Sequence, residues 1–390
     1  MEEKSPAPQQ GQPDAADALA EARAAKEARR KANEDPCKYW VSWPSLEKRA
    51  QQKSWLFVTG SSDHAAKIWD ADYRQCRGTL TGQHEGAVLA VAADFEARRA
   101  LTGAADGSLC MWDMERFEVK GSFLSGKYGA MVSAIADFGR NRALTGTGDG
   151  TLCIWDTTKL TVAAAIPAHE GARTTVVHAD FAETGRAVTG GSDGRLRVWD
   201  LETTEILGTY EGHLGAISAA AVDFRHNRVL SGDDDGAVRL WHLDKHDTIA
   251  KLDAHSDRVT ALQTNAEFRQ AVSGSSDDTL CVWDLISGQL MSTLSGHTQG
   301  VRDVRADFGR QTAVSCSDDG TLRVWDLSRG RCRKKLEGHL DRVTALCARF
   351  DKHMVLSGSD DYSIRLWDLE SMSCEHVFYS HSGKIRALVM

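Results

Sequence analysis

Proline is scarce and unevenly placed in this chain. Of six prolines, Pro6, Pro8, Pro13, Pro36 and Pro44 fall in the first 44 residues and only Pro167 lies beyond. That shift in composition marks a boundary near residue 50. Long apolar runs are missing altogether. No stretch of about 18 apolar residues occurs, and the opening MEEKSPAPQQGQ has no apolar core of a secretory signal, so the chain reads as neither exported nor inserted in a membrane. Nine cysteines include no Cys-x-x-Cys pair, which argues against a zinc ribbon or a redox motif. Cys110, Cys153 and Cys281 each stand two residues before a Trp, a slot that Arg197, Arg239, Arg323 and Arg365 fill elsewhere. A slot shared by Cys and Arg is no disulfide or metal position, and reduced thiols fit a cytoplasmic or nuclear protein. Excess positive charge is lacking too. The net charge is −8, and residues 54–390 carry −9, which excludes a general nucleic-acid binder. Glycine-rich runs such as GTGDG (146–150) are followed by no Gly-Lys-Ser/Thr, so they read as turns and not as phosphate loops.

What fills the chain instead is repetition. Trp recurs at 69, 112, 155, 199, 241, 283, 325 and 367, spaced 42 to 44 residues apart. Asp follows it every time except at Trp241-His242. Six residues before each Trp lies an Asp: 63, 106, 149, 193, 235, 277, 319 and 361. Four residues before each Asp lies Thr or Ser, from Thr59 to Ser357. Within a unit, runs such as RALTG and RVLSG are β-type, a cluster such as SDDG is a turn, and TLRVWD (321–326) alternates. Leu322 and Val324 should face one side of that strand, Arg323 and Trp325 the other. No helical apolar stripe appears after residue 54. Each unit is therefore about four short strands, with Trp-Asp closing the third.

This pattern resembles the WD40 repeat, whose family forms β-propellers, over residues 54–390. The expected fold is all-β, with eight blades. The first unit, SWLFVTGSSDHAAKIWDADYRQCRGTL (54–80), has three strands and no preceding His-bearing strand; HSGKIRALVM (381–390) looks like a first strand with no successors. Joined, they complete one blade. Residues 383–389 should thus be the innermost strand of the blade holding Trp69, closing the ring and removing two unpaired edges.

A histidine opens seven units: His84, His169, His213, His255, His297, His339 and His381, with Tyr128 in its place in blade three. Ser, His and Asp together invite a nucleophile reading. Seven copies do not suit an enzyme, which needs one such site with an oxyanion hole. The resemblance implies a structural network running from Trp to Ser/Thr to His to Asp, as in Trp367, Ser357, His339 and Asp361, or Trp69, Thr59, His381 and Asp63. No catalytic residue, cofactor or metal is expected. Asp303, between Arg302 and Arg305, is the only hint of a one-off ionisable cluster.

Members of the family often seize peptides at the mouth of the central channel, on the face with the His loops. Two slots there vary between units. Three residues after the His stand Arg258, Arg342 and Lys384, against Ala87, Ala216 and Gly300 elsewhere; just before the turn Asp stand Asp234, Asp318 and Asp360, against Ser62, Ala105, Gly148, Ser192 and Ser276. Arg302 and Asp303 complete a mixed-charge arc on blades five to eight and one. It suits recognition of a charged peptide; the competing reading is a solvated rim of internal salt bridges. On the opposite face the recurring ADFGRNRAL-type connection carries an arginine series, including Arg140, Arg225 and Arg310, beside Asp137, Asp223 and Asp307. Acid and base that repeat together favour local pairing over an anion-binding ring.

Residues 1–38 form a polar, Ala-rich arm, helical or disordered, in which Leu19 is the one large apolar residue. Tyr39, Trp40, Val41 and Trp43 make 39–53 an anchoring segment that wants burial. The function expected is a non-catalytic scaffold binding other proteins or peptides, with no small-molecule substrate. A ubiquitin-ligase substrate receptor or a chromatin-associated peptide reader is the alternative. Receptors of the cullin-4 adaptor type carry Trp-Asp-x-Arg, whereas the third residue after Trp is never Arg in this chain.

Overall fold

The protein is described here by a computed structural model covering residues 55–124, 126–159 and 161–390. The arm expected at 1–38 and the aromatic segment expected at 39–53 lie outside the described residues. The rest is eight four-stranded antiparallel sheets arranged as the blades of a propeller. Among the described residues there is no α-helix, and no helix long and apolar enough to cross a membrane. In each blade the strand following the His loop is innermost and the chain then steps outward. Blade one is composite. Leu56–Ser61, Ala66–Asp70 and Gln75–Leu80 supply its outer three strands, and Ile385–Val389 its innermost. The closing register pairs Val58 with Val389, Thr59 with Leu388 and Gly60 with Ala387. The ring closes as the sequence predicts.

The core lies between blades, and the alternation of the third strand puts it there. In blade seven Leu322 and Val324 point toward blade eight and meet Val343 and Leu346. Trp325 points the other way, onto Val272, Leu280 and Val282 of blade six. Each sheet is thus apolar on both faces, so a lone blade would expose two hydrophobic surfaces. Truncating one such fully buried Trp to Ala would cost about 3–5 kcal/mol. Close approach of neighbours explains the glycine that follows the buried Thr or Ser in seven blades. A Cβ at Gly274 would stand 2.8 Å from Cγ1 of Val301 on the next inner strand. Blade seven places Cys316 in this slot, fully buried.

Inner strands carry a β-bulge at one fixed position, where one residue has no partner across the pair. Thr175, Ser218, Thr260 and Thr344 occupy it in four blades, and each hydroxyl donates to a carbonyl of the next inner strand, at 2.5 to 2.7 Å. Blade is stitched to blade around the channel in this way. The outermost strands have a bulge of their own. In blades one, two and seven it holds Arg77, Lys120 and Arg333, each paired with the Asp of Trp-Asp.

Because both blade faces are apolar and the last strand closes the ring, deleting residues 381–390 should abolish cooperative unfolding or lower its midpoint severely. Circular dichroism melts of the truncated and full chains check this; matching curves would defeat the closure model.

Candidate functional site

The His-bearing face is organised by a buried relay in seven of the eight blades. In blade eight the Trp367 indole N–H donates to Ser357 Oγ at 2.8 Å, Ser357 Oγ lies 2.7 Å from His339 Nε2, and His339 Nδ1 lies 2.9 Å from Asp361. In the composite blade the relay spans the two ends of the described ring: Trp69 to Thr59 at 2.8 Å, Thr59 to His381 at 2.8 Å, His381 to Asp63 at 2.7 Å. The proton positions follow from the partners. A carboxylate only accepts, so Nδ1 carries the hydrogen, and Nε2 of the neutral ring accepts from the hydroxyl. Every donor in the relay is then used, and the hydroxyls are fully buried, out of reach of any substrate. The trio is scaffold.

Electrostatics agree. Burial lowers the histidine pKa at His84, His169, His213, His255, His339 and His381, the nearby aspartates only partly offsetting it. For Asp63, burial pushes the carboxyl up, but the His381 hydrogen bond and charge and two backbone N–H donors outweigh it and bring it down to about 2.

Two blades depart from the register that the repeat predicts. In blade five His213 pairs at 2.7 Å with Asp233 and not with Asp235. Asp233 is fully buried and also accepts from the Asp235 and Ala237 amides, the turn-capping task that Asp319 performs through Thr321 in blade seven. In blade two His84 Nδ1 reaches Ser108, which in turn donates to Asp106, so the relay is one hydroxyl longer. Blade three has Tyr128 in a 3-10 turn and no histidine; Thr145 still accepts from Trp155 at 2.9 Å.

The eight residues of the predicted arc stand around the same mouth, and most are paired with each other. Arg258 meets Asp234 across blades five and six at 3.1 Å. Lys384 meets Asp360 across blades eight and one at 2.7 Å. In both, the base follows its acid by 24 residues, which is also the offset from Asp318 to Arg342. That third pair does not form. Arg302 takes Asp318 with both ends of its guanidinium, Nε at 2.7 Å and Nη2 at 2.5 Å. Arg342 is exposed and its guanidinium makes no ion pair among the described residues. Asp303 sits lower on the same inner strand, 3.0 Å from Arg305, which also donates to the Leu346 carbonyl of blade eight. Burial raises the Asp303 carboxyl, with Arg305 opposing.

Sequence reading missed Arg386. It approaches Asp360 Oδ1 at 3.5 Å, and that buried oxygen has no hydrogen-bond partner. Its signal was present: counted from the His, Arg386 occupies the slot of Arg302, five residues on. This is the inner-strand bulge that holds Thr or Ser in four other blades. On the opposite face Asp137 holds Arg140 at 3.1 Å and Asp307 holds Arg310 at 3.6 Å, while Arg225 bridges to Glu183 at 3.0 Å. Asp180 and Asp223 cap their own turns there, beside a cleft of about 400 Å³ floored by Val222, Phe224 and Phe268. Among the described residues no group of three His, Cys, Asp or Glu is placed to hold a metal ion.

Ring closure, relay and Trp-Asp strands together define a closed eight-bladed propeller built from one repeat. The family described as WD40 (WD domain, G-beta repeat) matches residues 74–113, 161–200, 204–242, 246–284, 288–326 and 330–368, and the chain belongs to it. Members of this family are generally non-enzymatic and bind proteins or peptides. A crystal structure of the computationally designed Ika8 protein is similar, with 27% identity and a TM-score of 0.70 over 78% of this chain and 91% of the designed one. No curated protein matches the chain significantly.

Two measurements test the relay. Asp319→Ala orphans His297 Nδ1, the Thr298 and Thr321 amides and the Thr321 hydroxyl, and should lower unfolding free energy by about 1–3 kcal/mol. Asp233→Ala should cost a similar amount while Asp235→Ala changes it by under about 0.5 kcal/mol; equal costs in urea titrations would refute the blade-five assignment. Acid should also destabilise the ring. Histidines such as His255 and His339, held below their usual value of 6.5, are neutral in the fold and protonated when unfolded. Their contribution is complete above about pH 6.5 and is lost as pH falls. Each such site adds about 1.4 kcal/mol per pH unit to the slope. Below about pH 4 carboxylates such as Asp63 add to the loss in the same direction. An unchanged urea midpoint between about pH 8 and about pH 5.5 would contradict the neutral-relay picture.

Proposed function

We propose that this propeller is a non-catalytic scaffold that holds partner proteins through the channel mouth on blades seven, eight and one. One observation carries the reading. The inner strands of blades two to six, such as VLAVAAD and ISAAAVD, are small and apolar apart from an aspartate that ends four of them on the far face, whereas those of blades seven and one carry Arg302, Asp303, Arg305 and Arg386. A ring that only had to close would need none of these. Charge at a channel wall costs desolvation, and here it is concentrated where a bound segment would be surrounded by side chains on several blades. The Arg258–Asp234 pair, on blades five and six and more exposed, forms the outer limit of the arc.

The test compares proteins co-purified by wild type with those held by a variant carrying Arg258→Glu, Arg342→Glu and Lys384→Glu, with folding verified by melting. A partner present with wild type and lost from the folded variant supports recognition at this mouth. Retention of every partner would move recognition to the opposite face or to the Trp40 and Trp43 segment.

A further inference from the structure

We infer that the arc takes an acidic peptide segment, its carboxylates engaging Arg342 and Arg386; this rests on the reading of the mouth as the binding site and adds its sign. The formal mixture of acids and bases hides an ordered layering. In every pair of the arc on blades seven, eight and one, the base is the more exposed member. Side-chain exposure is 39% for Arg302 against 14% for Asp318, 40% for Lys384 against 5% for Asp360, and 36% for Arg386 against the same Asp360. Lower in the channel it is 39% for Arg305 and 18% for Asp303. The acids form the underlayer and the cations the surface that a ligand meets. In the Arg258–Asp234 pair, at 51% and 41%, the acid is exposed as well and the layering is weak.

The count is unbalanced as well. Around Asp318 and Asp360 stand Arg302, Arg342, Lys384 and Arg386, four bases to two acids. Asp360 serves both Lys384 and Arg386, and it also acts on Arg302, whose guanidinium is held protonated by its bond to Asp318 first and, further off, by Asp360. Asp341, the one further acid beside Arg342, uses Oδ1 to accept the Arg342 backbone amide at 2.8 Å and makes no ion pair with the guanidinium. Arg342 is therefore uncompensated, because the acid at its repeat offset is already held bidentately. Arg386 has only a 3.5 Å contact to a shared carboxylate. Guanidinium groups in this condition bind carboxylates through paired N–H donors, and a low-dielectric wall strengthens such bonds. A basic segment would face the cationic layer and could reach Asp318 and Asp360 only by displacing their present partners.

Fluorescence anisotropy with the full chain tests this, using labelled hexaglutamate and hexalysine as probes. Hexaglutamate should bind with affinity that falls as salt rises, and hexalysine should bind at least about tenfold more weakly. Arg342→Glu and Arg386→Glu should each weaken hexaglutamate about tenfold or more, while Arg225→Glu, on the opposite face, leaves it within about twofold. The milder Arg342→Gln and Arg386→Gln, with melting temperatures matched to wild type, separate a binding loss from a folding loss. Preference for hexalysine, abolished by Asp318→Asn, would overturn the acidic-ligand inference and leave the mouth as the site. Hexaglutamate binding that ignores both arginine substitutions would overturn it too, and with partners also retained by the triple variant the site reading would fall separately.

Discussion

One buried hydroxyl in each blade governs the architecture. It sits on the second strand, accepts the indole N–H of the third strand and, in the seven blades that have one, donates to the histidine of the loop ahead of the first. A hydroxyl with one proton and two lone pairs has enough capacity for both bonds, and a neutral imidazole passes the chain on to a carboxylate. Replace the hydroxyl and a donor and an acceptor are orphaned together at full burial. Three strands and a loop are thus locked in one geometry by groups that have no alternative partner, since water does not reach them. The Trp so fixed is also the side chain that packs on the preceding blade, and local order is converted into blade-to-blade order around the ring.

This dependence explains why the fold was legible. Trp, Ser/Thr and Asp recur at rigid offsets because each has an obligatory partner, and the strand alternation around Leu322 and Trp325 follows from two apolar faces. The same logic found the closure, because Thr59 and Asp63 lack a histidine in sequence and His381 lacks a hydroxyl and an acid. It failed where two residues could do one job. In blade five three consecutive acids, Asp233, Asp234 and Asp235, offered a choice, and Asp233 at the strand end both pairs with His213 and caps the turn, two tasks that the turn Asp performs in blades six to eight. Alignment alone cannot see that competition.

The candidate site was legible only in part, for a related reason. Positions at the mouth are not dictated by the repeat, so their departures stand out: Arg342, Lys384, Asp318 and Asp360 did. Pairing is a different matter. Three acid–base sets with the same 24-residue offset look equivalent in sequence, and two of them pair as the offset suggests. The third is broken by Arg302, which reaches Asp318 from the inner-strand bulge of the same blade. Whether a charge at the mouth is already engaged or still available is thus decided by a slot on another strand, and Arg386 was overlooked because that slot looks like ordinary strand.

Those bulges connect the two levels of organisation. Where the slot holds Thr or Ser, the side chain binds a carbonyl of the neighbouring inner strand and contributes to ring cohesion. Where it holds Arg302 or Arg386, that stitch is absent and a cation is extended over the mouth instead. The exchange occurs in blades seven and one, on either side of blade eight, which keeps its stitch through Thr344. Blade seven also departs at the glycine slot, with Cys316 opposite Asp303 in the pair register. Blades two and three give up the stitch as well, with Leu89 and Val132 in the slot, so blades seven and one are set apart by placing a charge there. On the opposite face Arg140 and Arg310 pair with the aspartates of their own turns, whereas Arg225 reaches Glu183 of the neighbouring blade.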